Sequence, residues 1–154
     1  MSGVESLTIS SGAGAVDIAG TVGNDGNGKA LGTLLINNAA GAGTIDLGGI
    51  GTDTVVGTSG NATVGNALTA TLTLDGAEYN TTGTQTYVAK SGGGGQNIDI
   101  TGTAATFATS GADIAFNTSG INLKNNGTTT ISSGTSGGGN ISFAGGVEAD
   151  GTLD

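Results

Sequence analysis

Few residues in this chain have the type and spacing that chemistry demands. Residues 48–56 read Gly48-Gly49-Ile50-Gly51-Thr52-Asp53-Thr54-Val55-Val56, which fits the calcium nonapeptide Gly-Gly-x-Gly-x-Asp-x-apolar-x. Glycines let backbone carbonyls turn toward an ion, and the Asp supplies charge. A single copy does not make a site, because that architecture shares each ion between successive turns. Asn24-Asp25-Gly26 is a faint second candidate, and a plain turn with an exposed Asp53 explains the same residues. Gly23-Asn24-Asp25-Gly26-Asn27-Gly28-Lys29-Ala30 nearly spells a phosphate-binding loop, but Ala30 replaces the hydroxyl that would hold Mg²⁺. The residues after it make a poor helix, so the helix N-terminus that would bind phosphate is lacking. Asp17, Asp46 and Asp99 recur at one position of an apolar–acid–apolar triplet. A glycan hydrolase needs two acids converging across a cleft, usually beside aromatic sugar platforms. With no His and no Cys, Ser–His triads, thiol nucleophiles and ordinary zinc sites are excluded. No residue is assigned a catalytic, cofactor-binding or metal-ligating role, no cofactor is expected, and the chain reads as no enzyme.

The elements that carry these residues are short and repetitive. Thr8-Ile9-Ser10-Ser11-Gly12 returns unchanged as Thr130-Ile131-Ser132-Ser133-Gly134. Val16-Asp17-Ile18-Ala19-Gly20-Thr21-Val22 is then answered by Ile141-Ser142-Phe143-Ala144-Gly145-Gly146-Val147. The chain thus ends in the phase in which it begins, as a slice of a longer repetitive protein would. A unit of two strands around a Gly/Ser/Asn/Ala turn opens at Ile9, Ile36, Val64, Val88, Phe107 and Ile131, at intervals of 27, 28, 24, 19 and 24 residues. Its second strand alternates with the period of two that marks a half-buried strand.

A repeat of this length predicts an all-β fold, a parallel β-helix (β-solenoid) of about six irregular turns, with residues 1–154 forming a single segment. Two inward ladders are expected. One holds Val16, Ile45, Leu72, Ile98, Ile114 and Ile141, and its neighbour holds Ile18, Leu47, Leu74, Ile100, Phe116 and Phe143. Asp17, Asp46 and Asp99 then point outward, with Thr73, Ala115 and Ser142 in the other copies. An antiparallel sandwich also has short, evenly spaced strands, but sandwiches rarely repeat themselves and hairpin signals are scarce here. Right-handed coiling follows the usual preference of parallel connections.

Composition agrees with ordered strands and excludes several partners. Gly is 33 of 154 residues, and the glycines lie between apolar clusters, where turns belong. There is no Pro, which a stack of interior strands would shun because Pro has no N–H for the ladder. Disordered chains are usually rich in Pro and charge, and only 10% of this one is charged. The net charge is −9, with Lys29, Lys90 and Lys124 the only bases, which argues against nucleic acid and anionic membrane surfaces. No apolar run approaches the roughly 18 residues of a membrane-spanning helix, so no membrane insertion is expected. Thr clusters such as Thr128-Thr129-Thr130 suggest an ice-binding face, but irregular repeat lengths spoil its flat register. The five Asn-x-Ser/Thr triplets, Asn61-Ala62-Thr63 among them, are what such a composition yields by chance.

The run from Leu72 to Tyr87 and the segment Gly138-Gly139-Asn140-Ile141-Ser142-Phe143-Ala144-Gly145-Gly146-Val147 resemble the β-strand repeats of large bacterial surface proteins. These are the filamentous-haemagglutinin-like adhesins and autotransporter-passenger-type proteins. The resemblance covers essentially the whole chain and implies a right-handed β-helix at the bacterial cell surface or outside the cell. It also implies a rigid stalk whose partners are the neighbouring repeats of the parent chain. The alternative is a binding module for a cell-surface glycan or host protein, for which Tyr79 and Tyr87 offer the one candidate patch. A calcium-stabilised repeat is the third reading. Cutting such a stack leaves unpaired edges, so end-to-end self-association is expected.

Overall fold

The computed structural model describes residues 4–23, 29–39, 41–92, 97–125, 127–134 and 137–149. Its strands are short because each is one side of a coil. The first turn carries β1 (Leu7–Ile9) and β2 (Val16–Ile18), and the second carries β3 (Leu34–Ile36) and β4 (Ile45–Leu47). The third carries β5 (Ala62–Gly65), β6 (Leu72–Leu74) and β7 (Glu78–Thr81). The fourth carries β8 (Gln85–Val88), β9 (Ile98–Ile100) and β10 (Ala105–Thr109). The fifth carries β11 (Ile114–Asn117), β12 (Gly120–Leu123) and β13 (Thr129–Ser132), and β14 (Ile141–Phe143) and β15 (Gly146–Ala149) begin a sixth. No helix occurs among the described residues.

Every pairing between these strands is parallel and joins one turn to the next, which makes the chain a β-solenoid. The first face is β1-β3-β5-β8-β11-β14 and the second is β2-β4-β6-β9-β12-β15. The third is β7-β10-β13, extended toward the N-terminus by single bridges from Tyr79 to Ile50 and on to Val22, and from Thr81 to Thr58 and on to Leu31. On the first face Leu7, Leu34, Ala62, Gln85, Ile114 and Ile141 stand in register, so successive turns take 27, 28, 23, 29 and 27 residues. Loops at the corners absorb the differences.

The core is the narrow space between the three faces. On the second face the two expected ladders hold through four turns: Val16, Ile45, Leu72 and Ile98, and beside them Ile18, Leu47, Leu74 and Ile100. Beyond that point the expectation slips. The next rungs are Ile121 and Leu123, then Val147 and Ala149. Ile114 and Phe116, with Ile141 and Phe143, belong to the first face, where Phe116 stacks over Tyr87. The unit openings at Phe107 and Ile131 accordingly lie on the third face, while Ile9, Ile36 and Val64 lie on the first. Val88 is the outward end of β8 and opens nothing. The repeated phrase is also out of phase. Thr8 and Ile9 lie on the first face, whereas Thr130 and Ile131 lie on the third.

The glycine that closes most second-face strands has a steric cause. A Cβ on Gly76 would sit 2.1 Å from the carbonyl oxygen of Gly48, one turn earlier, and a Cβ on Gly102 would sit 2.6 Å from that of Gly76. Only a hydrogen fits where the chain bends this close to the turn below.

Candidate functional site

The calcium-like motif lies where the second turn passes onto the third face. Ile50 is buried and bridges Val22 and Tyr79, so it is a core residue. Gly51 has φ of 67°, and a Cβ there would meet the Val55 carbonyl oxygen and the Gly57 nitrogen at 2.4 Å. The Thr52 amide donates to the Val55 carbonyl (2.8 Å), and the Val55 amide donates back to Thr52 Oγ1 (3.2 Å). Asp53 is therefore the exposed tip of a tight turn. Glu78 is its nearest acid by effect: partial burial first, and then Asp53, raise the Glu78 carboxyl above its ordinary value, against a hydrogen bond from Thr106. No group of three or more His, Cys, Asp or Glu is gathered among the described residues. The motif's glycines thus have a steric role in closing the loop. Of the phosphate-loop look-alike, residues 24–28 lie outside the described residues, and so does the whole second calcium candidate, Asn24-Asp25-Gly26.

The acids of the second face form one outward row. Asp17 stands directly beside Asp46, then come Thr73, Asp99, Asn122 and Glu148. Ala115 and Ser142, expected in this row, lie on the first face because the ladder slips there. Thr73 separates Asp46 from Asp99, as the spacing implied, but nothing separates Asp17 from Asp46. Burial first, then Asp75 and Asp17, raise the Asp46 carboxyl above its ordinary value, against a hydrogen bond from the Leu47 backbone. Farther along, Lys124 Nζ lies 3.0 Å from Asp99 Oδ2. The pairings set these residues in one file along a single wall, with Asp75 acting on Asp46 from beside it.

Tyr79 and Tyr87 are not a surface patch. Both are fully buried. Tyr79 donates its hydroxyl to the Leu47 carbonyl (2.8 Å) and accepts the Gly76 amide (2.9 Å). Tyr87 donates to Gln85 Oε1 (3.0 Å), while Gln85 Nε2 donates to the carbonyls of Tyr79 and Ala108, both at 2.7 Å. Burial pushes both phenols up, so neither ionises in the ordinary tyrosine range. The rings join an aromatic column: Tyr79 lies flat on Phe107 (4.6 Å between centroids), and Tyr87, Phe116 and Phe143 stack in turn (5.2 and 5.3 Å). Gln85 at an inward position gave no sequence signal, since buried polar residues are the exception and need such a network to be tolerated.

Two corner devices went unread in the sequence. Thr58, Thr81 and Thr109 are buried at successive third-to-first-face corners, and each donates its hydroxyl to a carbonyl just ahead: Gly60 (3.0 Å), Gly83 (2.6 Å) and Ala112 (2.6 Å). The signal is present as Thr-Ser/Thr-Gly at 58–60, 81–83 and 109–111. On the first-to-second-face corner Asn37, buried with φ of 47°, accepts the Ser11 amide on Oδ1 (2.8 Å), and Asn66 Nδ2 donates to the carbonyls of Asn37 and Gly41. Thr69 is likewise buried, so residues 69–73 form no flat outward threonine row. Asn61 spends its Oδ1 on the Thr84 amide (3.1 Å).

The hydroxyls of Thr58, Thr81 and Thr109, the side-chain amides of Asn37, Asn66 and Gln85 and both phenols are all spent on bonds within the coil. No family model, no curated protein and no solved structure matches the chain.

Proposed function

We propose that this chain is a structural repeat segment, a rigid stalk, of a large secreted or cell-surface bacterial adhesin of the filamentous-haemagglutinin-like or autotransporter-passenger type. One observation carries the reading: the faces are built for continuity. Ladders run from turn to turn on every face, and four of the five aromatic rings are fully buried. The fifth, Phe143, is the end of the same inward column. Outward positions carry mostly small or polar residues such as Thr8, Thr63, Thr86, Thr106 and Asn122, with Leu35 the apolar member of the first-face row, and no aromatic ring stands among these. Each added turn lengthens such a rod by about 4.8 Å. Its stability accumulates as a sum of contacts between neighbouring turns.

Direct recognition of a glycan or host protein was tied to an exposed Tyr79–Tyr87 patch, and burial of both rings removes that support. The stalk reading is tested by presenting the immobilised chain with an array of cell-surface glycans and with extracellular-matrix proteins. A spacer gives no saturable binding. A saturable signal abolished by substituting Asp46 or Asp99 overturns the stalk and makes the second face a recognition surface.

A further inference from the structure

One inward row of the first face holds Leu7, Leu34, Ala62, Gln85, Ile114 and Ile141. All are apolar except Gln85, which is fully buried. The apolar pattern does not ask for this residue there. β8 alternates, so sliding it by two residues keeps every inward position inward. Tyr87 would then lie on Ala62, and Ala89, itself buried, on Val64. Turn length favours that arrangement as well. The third and fourth turns take 23 and 29 residues, beside 27, 28 and 27 for the others. With Tyr87 on Ala62 they would take 25 and 27. Nine residues connect β8 to β9, against six to eight at the same corner of the three turns before, so the chain has the length to spare.

What the shifted arrangement gives up is an amide network. Gln85 Nε2 donates to the Tyr79 and Ala108 carbonyls, and to Thr81 Oγ1 at 3.3 Å, while Oε1 accepts the Tyr87 hydroxyl. Tyr79 and Ala108 belong to β7 and β10, so one side chain grips the third face of two successive turns. A two-residue slide carries Gln85 about 7 Å along the strand, away from these carbonyls. We propose that Gln85 is the register key of the coil: its amide selects Gln85, and not Tyr87, to lie on Ala62. A single buried polar side chain sets the register of coiled coils in the same way, where the apolar pattern alone fits more than one alignment. The rings pull in the same direction, because the slide takes Tyr87 off its stack on Phe116. A variant that keeps every ring and removes only the amide separates the two contributions. The key lies in the middle turns, and it stands whether or not the coil is a stalk.

The chain has no cysteine, so introduced thiols report the register alone. Thr63, Thr86 and Val88 all point outward and are half-exposed. Thr63 and Thr86 are paired on neighbouring strands, about 4.8 Å apart, within the roughly 4.4–6.8 Å that a disulfide spans between Cα atoms. Thr63 and Val88 are about 8 Å apart and become the close pair only after the slide. Thr63→Cys with Thr86→Cys, and Thr63→Cys with Val88→Cys, are oxidised, and the remaining thiols are counted with a maleimide mass tag. In the parent chain the first pair links readily and the second slowly. With Gln85→Leu added, the second pair is expected to link roughly tenfold faster, the factor that one or two lost hydrogen bonds supply, and thermal unfolding stays cooperative. Gln85→Met, unbranched and close to Gln in volume, is expected to do the same and guards against a misfit of the Leu branch. An unchanged rate for the second pair in both variants overturns the proposal, since the rings then hold the register alone. Loss of the cooperative transition in both also overturns it, since the amide then serves folding and not the choice of register. A second pair that links as fast as the first in the parent contradicts it as well.

Discussion

Phe116 and Phe143 are consecutive rungs of one aromatic stack, with centroids 5.3 Å apart and planes 6° from parallel, yet Phe116 is sealed and Phe143 is 40% exposed. Both point inward from the same face in the same register. Phe116 has Tyr87 on one side, Phe143 on the other and the edge of Phe107 against it, whereas among the described residues Phe143 has one aromatic neighbour. In a coil of this kind the direction of a side chain is set by its own strand, but its burial is set by the turns on either side. Stability is therefore a property of adjacent pairs.

Substitutions at matched interior and terminal rungs break or sharpen that contrast. The largest expected effect is Ile98→Asp, which forces a carboxylate between Leu72 and Ile121 in a sealed ladder. It abolishes the cooperative thermal transition, whereas Ile141→Asp, at an exposed rung, lowers the midpoint only slightly. An unmoved midpoint for Ile98→Asp would show that this residue is not in the core. Next comes Phe116→Ala, expected to cost about 3–5 kcal/mol in a denaturant titration, as large aromatic truncations in cores do. Phe143→Ala is expected to cost about 1 kcal/mol, because much of the ring is already in water. Equal losses at the two positions would mean that the terminal turn is covered in solution.

Tyr79→Phe is smaller. It removes the hydroxyl that serves the Gly76 amide and the Leu47 carbonyl; the carbonyl keeps the Asp75 amide (3.3 Å) while the Gly76 amide loses its acceptor, at roughly 1–3 kcal/mol. The smallest effect is at the surface. Asp46 and Glu78 both have carboxyls raised in the folded state, so the folded chain holds protons that the unfolded chain has already lost. Their contribution is neutral below the ordinary carboxylate range and destabilising above the raised values, so stability falls as pH rises between the two. Asp46→Asn removes a partly buried charge and its like-charge contacts with Asp75 and Asp17 and flattens that fall, raising the melting point at neutral pH by a degree or so, in line with roughly 0.2–1 kcal/mol for an opposed pair. A melting point that rose with pH across this window would contradict the assignment.

Much of the fold was legible because a strand needs only local alternation. The triplets at Val16, Ile45, Leu72 and Ile98 share an apolar–polar–apolar form, and they stack as read. What local alternation cannot encode is which face a triplet occupies. Thr-Ile-Ser-Ser-Gly sits on the first face at residue 8 and on the third at residue 130, because both faces accept a short alternating strand that ends in a serine-and-glycine corner. The slip began at Gln85, where the inward position is polar and the rung was invisible until Tyr79 and Tyr87 were seen to satisfy it. The third face was hidden for a related reason. In its first two turns it consists of isolated bridges at Val22, Leu31, Ile50 and Thr58 rather than strands. The candidate sites fared differently. Glycines at 48, 49 and 51 read as ligand chemistry, but close approaches between turns and around the loop account for Gly48 and Gly51.

Nuclear Overhauser contacts between neighbouring strands in a labelled sample distinguish the three-faced parallel register from any other. Backbone contacts are expected from Asp99 to Asn122 and from Ala115 to Thr86. Contacts from Asp99 to Ala115 instead would restore a single continuous ladder through Ile98 and Ile114, and would contradict the register on which the aromatic column rests.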